Sequence, residues 1–268
     1  MEKKQTYRET VEEYKRSYRY QKHVTVWLKV MGLETMLSDS GNNEKFSLMF
    51  QMANEVNSLV LHKRGIDGVH VTCISGCIVI SSPYEVRGSF EKVLTVLFML
   101  EQSFLRSGVL LKGALTVGDL YHEGQIVFGP ALMEACRLES GCAVYPRCIL
   151  TRETLQEILK DCRSEARRTA VQNLLRQDDD GFYFFDYLGR SLALLLAQSQ
   201  EGEEPVEVFD ELQELKWFLE DKLKETETAE YRIIMKYGWL RNYFNKVVLE
   251  LEKQTQLDCR IFLVEKPE

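Results

Sequence analysis

Apolar and polar positions along this chain follow two periods, and each change of period marks an element. From His23 to Leu33 the run HVTVWLKVMGL suits a buried strand that closes at Gly32, ahead of the turn-rich SDSGNN. Before it, Tyr7, Val11, Tyr14 and Tyr18 recur at helical spacing in a charged stretch, which predicts a helix over 1–22 lying against the domain or a second subunit. Phe46, Met49, Phe50, Ala53, Val56, Leu59 and Val60 repeat at three- and four-residue intervals, as in an amphipathic helix over 43–63. The apolar runs VHVTCI and CIVISS around Ser75 and Gly76 predict a hairpin over 69–82. A second amphipathic helix is expected at 90–106.

The stretch 110–150, LLKGALTVGDLYHEGQIVFGPALMEACRLESGCAVYPRCIL, contains an apolar strand, a Gly-marked hairpin and a Gly-Pro helix start. A short helix and a second strand after Tyr145-Pro146-Arg147 follow. Beyond Leu150 the pattern predicts a helix to about Arg176, the acidic DDDG turn and a strand over GFYFFDYLG. A mostly helical segment over 206–253 follows, broken near 225–230, with Trp217, Trp239, Tyr243 and Val247 as inward anchors. QEGEEP at 200–205 is the best linker, so the expected units are 1–22, 23–200 and a helical extension over 201–268. The order strand, helix, strand, strand, helix, strand predicts an α+β domain, ferredoxin-like (βαββαβ), with helices on one face of a mostly antiparallel sheet.

Composition narrows the function classes. A 268-residue chain with 45% apolar and 28% charged residues can bury a sizeable core. Its net charge of −7 argues against nucleic acid as a partner, because phosphate binding of that kind is driven by basic surface. Seven cysteines without paired C-x-x-C spacing point to reduced thiols in the cytoplasm, and four of them fall in apolar strand-like segments where cysteine packs as a small hydrophobe. No signal-peptide core stands at the start, and no run approaches the roughly 18 apolar residues that span a bilayer.

VGDLYHEG, FGPAL and YPR in combination resemble the class III nucleotide cyclase homology domain, especially the bacterial pyrimidine cyclase-like proteins of antiphage signalling. The resemblance covers about 23–150, with looser matches at DDGFYFFDYL and KYGWLRNYFN. It implies a dimer whose sites form between subunits and a reaction in which two divalent cations, held by two aspartates, assist attack of a 3′-hydroxyl on an α-phosphate. In the run Trp27-Leu28-Lys29-Val30-Met31-Gly32-Leu33 the first carboxylate position is Lys29. In Ile74-Ser75-Gly76-Cys77-Ile78 the second is Gly76. Neither side chain can ligate a cation. In Leu132-Met133-Glu134-Ala135-Cys136-Arg137-Leu138 the transition-state arginine is Arg137, while the ribose-orienting asparagine is Met133.

These residues imply a pseudo-cyclase that binds nucleoside triphosphate or cyclic nucleotide as a sensor or regulatory subunit, as a homodimer or with a cyclase-fold partner. Lys29, Arg137 and Arg147 are the nucleotide-binding candidates, and no metal or other cofactor is expected. An active cyclase making a cyclic pyrimidine nucleotide, with Mg or Mn on other carboxylates such as Glu34 and Asp39, is the second reading. A ligand-free scaffold is the third. Plainer roles stand beside each candidate: Arg137 pairing with Glu134, Lys29 reaching the strand edge, Arg147 fixing strand entry, and Asp178–Asp180 as a solvated turn. Asp119, His122 and Glu123 could ligate a metal or simply form a polar hairpin tip.

Overall fold

A computed structural model describes residues 19–33, 47, 54, 56, 58, 66–74, 76–199 and 205–265. The expected helix over 1–22 lies outside these except at its end, where Gln21 and Lys22 already belong to the first strand. Most of the helix over 43–63, Glu34, Asp39 and nearly all of the linker also lie outside the described residues.

Among the described residues, eight strands form one mixed sheet. β1 (Gln21–Val30), β2 (His70–Ile74), β3 (Cys77–Pro83) and β4 (Leu111–Glu123) stand in the order β2-β3-β1-β4, every neighbour antiparallel. β6 (Cys148–Leu150) joins β4 in parallel, and β8 (Tyr183–Phe185) and β7 (Leu175–Gln177) extend the sheet antiparallel beyond it. β5 (Ile126–Phe128) pairs with the end of β4 alone.

The two faces of β1 are set by its period of two. Val24, Val26, Leu28 and Val30 enter the main core, which is packed by α1 (Ser89–Arg106) through Phe90, Val93, Leu94, Leu97, Leu100 and Phe104. Those positions make one stripe at helical spacing, and each buried aliphatic or aromatic side chain contributes about 1.5–3 kcal/mol of transfer free energy. Thr25, Trp27 and Lys29 face the other way, where α2 (Pro130–Cys142) covers the sheet with Ala131, Leu132 and Leu138 against Val79, Leu120, Ala114 and Ile149. Gly113 lets β4 lie close to β1, since a Cβ there would stand 2.3 Å from the Trp27 carbonyl oxygen.

The long helix expected after Leu150 is instead α3 (Arg152–Lys160) and α4 (Glu165–Gln172), followed by β7. Ser164 starts α4 by accepting a hydrogen bond from Arg167 N at 3.3 Å. The strand read over GFYFFDYLG stops at Phe185, because Asp186 caps α5 (Tyr187–Gln198) by accepting from Gly189 N at 3.2 Å. The break near 225–230 falls between α6 (Val206–Glu225) and α7 (Tyr231–Thr255). Tyr243 and Val247 are buried as expected and Trp239 packs on the core, but Trp217 is 61% exposed and anchors nothing inward. A single 3-10 turn, Arg260–Phe262, closes the described chain. Among the described residues no helix is long and apolar enough to cross a membrane.

Candidate functional site

Lys29 lies one residue from the end of β1, on the face that α2 covers, and is partly exposed. Its register partner in β3 is Cys77, the residue after Gly76, so β-pairing brings the Lys29 and Gly76 positions together at one end of the sheet. Gly76 has φ +77°, and a Cβ on it would stand 2.0 Å from Leu33 Cδ2. Any side chain here is strained by the backbone and displaces Leu33 as well.

On the opposite edge of β1, Lys29 pairs with Lys112 of β4. Lys112 Nζ stands 2.6 Å from Glu139 Oε1 of α2 and donates to the Ala143 carbonyl at 3.1 Å, and the Glu139 side chain is only 4% exposed. Burial raises the Cys77 thiol, with the charge of Lys29 opposing and that of Glu139 reinforcing the shift. Burial also raises Cys136, to about 11. A divalent magnesium or manganese ion takes hard oxygen donors. Two ammonium groups, a glycine and protonated thiols do not fit it, and Glu139 is engaged by Lys112. Lys112 and Glu139 were not singled out from the sequence, although a single lysine within the apolar run LLKGALT was the available signal.

Arg137 is elsewhere. It projects from the outer side of α2 with its side chain 68% exposed, and donates to Glu134 through Nε at 2.8 Å and Nη2 at 2.6 Å. That pairing holds the guanidinium above and the Glu134 carboxyl below their ordinary ranges. Met133, one turn earlier, is 69% exposed on the same side. Within one chain, then, Lys29 and Gly76 are brought together and Arg137 with Met133 is turned outward.

Arg147 is fully buried. Its guanidinium pairs with Asp178 and Asp180 and lies about equally far from three aromatic rings, those of Tyr145, Phe184 and Trp239, at 5.3, 5.5 and 5.4 Å. Trp239 Nε1 donates to Asp178 Oδ2 at 2.7 Å and its ring stacks on Tyr145. The acidic turn is exposed at Asp179 and Asp180, as a solvated turn is, and also supplies through Asp178 and Asp180 the counterions of a buried cation. Arg147 ties β6 to that turn and to α7, and its charge is already matched where a phosphate-binding role would need it open to solvent.

Asp119 and Glu123 are exposed on one face of β4 while His122 is buried on the other, so the three do not converge. No group of three or more metal-ligating side chains stands together among the described residues. His122 instead bonds to Thr72 Oγ1 and Ser81 Oγ, both at 2.8 Å. All seven cysteines are free thiols; Cys148, Cys162 and Cys259 are buried and Cys73 is exposed.

No family model matches the chain, and no curated protein matches it. Among solved structures it is similar to the adenylyl cyclase CyaB from P. aeruginosa, with 11% identity over 62% of this chain and 94% of that one at a TM-score of 0.45. The monomeric guanylyl cyclase domain of the RhoGC fusion protein from the aquatic fungus Blastocladiella emersonii gives 12% identity over 63% and 96%, at 0.46. A class III adenylyl cyclase-like ATP-binding protein from Pseudomonas aeruginosa gives 14% over 61% and 38%, at 0.42.

Proposed function

We propose that this chain is a cyclase-like protein of ferredoxin-like core that has lost turnover and keeps nucleotide binding, serving as a sensor or regulatory subunit of cyclic-nucleotide signalling such as antiphage defence. The antiparallel order β2-β3-β1-β4, with α1 crossing from β3 to β4, supports the core. The observation that carries the loss of turnover is the Lys29–Cys77 register, which sets an ammonium beside a side-chain-free Gly76 where the resemblance asks for two carboxylates. Without them no divalent ion is held to lower the pKa of the attacking hydroxyl or to neutralise the leaving pyrophosphate.

The outward placement of Arg137 and Met133 supports a site completed across subunits. The β4–β5 hairpin offers a surface for such an association: Phe128 and Ile126 are half or more exposed, and Phe128 packs edge-on against Tyr20 and beside Tyr121.

Incubation of the full chain with ATP, GTP, CTP and UTP in Mn²⁺ and Mg²⁺, read by chromatography with mass detection, is expected to give no cyclic product. At least one triphosphate is expected to raise the melting temperature. A cyclic product lost in Arg137→Ala would overturn the proposal in favour of an active cyclase. Absence of both product and stabilisation would leave a scaffold without ligand.

A further inference from the structure

Leu120 is the last residue of β4 with a partner in β1, where it lies opposite Gln21. Beyond it, Tyr121, His122 and Glu123 pair with β5 alone. Among the described residues no main-chain hydrogen bond joins this outer hairpin to another strand. Side chains reach it instead, from two strands on the far side of β1. Thr72 of β2 donates to the Gly124 carbonyl at 2.9 Å, and His122 bonds to Thr72 Oγ1 and to Ser81 Oγ of β3, both at 2.8 Å. Two of these three bonds pass through one imidazole.

Register brings the groups together. Ser81 stands opposite His70 in β2 and Thr25 in β1, and Thr72 stands opposite Val79, so His23, His70, Thr72 and Ser81 share the sheet face that bears Trp27. Thr72 and Ser81 are fully buried, His23 and His122 nearly so. The His70 ring centre lies 5.3 Å from that of His122. No acidic residue stands in the first turn of α2. Glu123 is exposed on the other face of β4, where it accepts from Tyr121 Oη at 2.6 Å, although its charge favours a proton on His70. Among the described residues, the titratable groups that face His122 are therefore two more imidazoles, His23 of β1 and His70 of β2.

A proton on Nδ1 would turn that atom from acceptor to donor, and Ser81 would have to reverse its hydroxyl inside the core. The charge itself would be buried without a carboxylate, a costly state. Water relieves it once the residues beyond Leu120 leave the sheet, a movement that breaks no rung of the β1–β4 ladder. It costs the packing of Val127 on Val79, Leu120 and Ala131.

We propose that the β4–β5 hairpin is an acid-sensitive flap, held on the sheet by neutral His122 and released as a unit when that imidazole takes up a proton, while the β2-β3-β1-β4 ladder stays paired. Ile126 and Phe128 ride on it, so acid moves the surface offered above for association. The flap does not depend on the nucleotide-binding reading.

The test is amide hydrogen exchange of the full chain, read by mass spectrometry near neutral pH and at about pH 5, and corrected for the intrinsic rate at each pH. With His122 at about 4 in place and 6.5 when released, the opening of residues 121–128 is expected to rise about 30-fold in acid. Residues 24–28 and 78–82 are expected to exchange far more slowly than the hairpin in both conditions. Hairpin and ladder exchanging at one common rate, or a hairpin rate indifferent to pH, would overturn the proposal. Ser81→Ala combined with Thr72→Val removes all three bonds and is expected to free the hairpin near neutral pH. His122→Gln is expected to abolish the acid response, and a response unchanged in that variant would overturn His122 as its seat. Should either variant not fold, as judged by circular dichroism, the comparison of rates on the unaltered chain decides.

Discussion

His122 illustrates how far a residue's role depends on what encloses it. Thr72 gives its one hydroxyl proton to the Gly124 carbonyl at 2.9 Å, so it accepts from His122 Nε2–H, and Nδ1 is left to accept from Ser81. That arrangement is the neutral imidazole. Burial first, then the charges of His70 and His23, depress His122 from its ordinary 6.5 to about 4; His70 and His23 are lowered too, with Glu123 partly opposing at His70. Between those two values the unfolded chain binds the proton and the folded chain does not. Stability present above pH 6.5 is therefore lost as pH falls towards 4, by ~3 kcal/mol from His122 alone. Chemical denaturation at a series of pH values should show that slope, and His122→Gln should flatten it; an unchanged slope would count against His122 as the source. In sequence this residue read as hairpin-tip polarity first and as a metal ligand second, and neither reading foresaw its burial. Arg147 was no clearer, because its two counterions are about thirty residues away in the chain.

At the scale of elements, periodicity located most of what local spacing controls. The hairpin of β2 and β3, α1, and the run from β4 to β6 lie where their patterns put them. The failures lie where one side chain ends an element. Ser164 divides α3 from α4, and Asp186 turns a strand into α5. Both are capping residues with amide hydrogens waiting two or three positions on, a signal that was present but outweighed by apolar content. Asp186 does more than cap. It also accepts from Tyr243 Oη at 2.6 Å and pairs with Arg176 Nε at 2.7 Å, joining β7, α5 and α7. Asp186→Ala is expected to cost ~3 kcal/mol or more, since it leaves a mostly buried guanidinium short of a partner. A urea melt measures it, and a loss below ~1 kcal/mol, the size of a cap alone, would show that the joint contributes little.

For the whole molecule, Arg137 and Met133 face outward on α2, and Ile126 and Phe128 are half or more exposed on the β4–β5 hairpin. The dimer proposed above predicts that Phe128→Asp shifts the chain to monomer in sedimentation equilibrium with its circular dichroism unchanged; equal masses for both proteins would remove that hairpin from the interface. The core itself has no seam between the sheet and the C-terminal helices. Val208, Leu212, Leu219, Tyr243 and Phe244 belong to the same apolar cluster as Val24, Leu28 and Leu97. The helices read as an extension from 201 onward thus share their apolar cluster with the sheet. Arg147 makes the dependence specific, because the carboxylate that neutralises it is also held by the indole of Trp239. In terms of descent, α7 is tied to the Arg147 turn, because its Trp239 both lies over the guanidinium and donates to Asp178. A change in one asks for a change in the other.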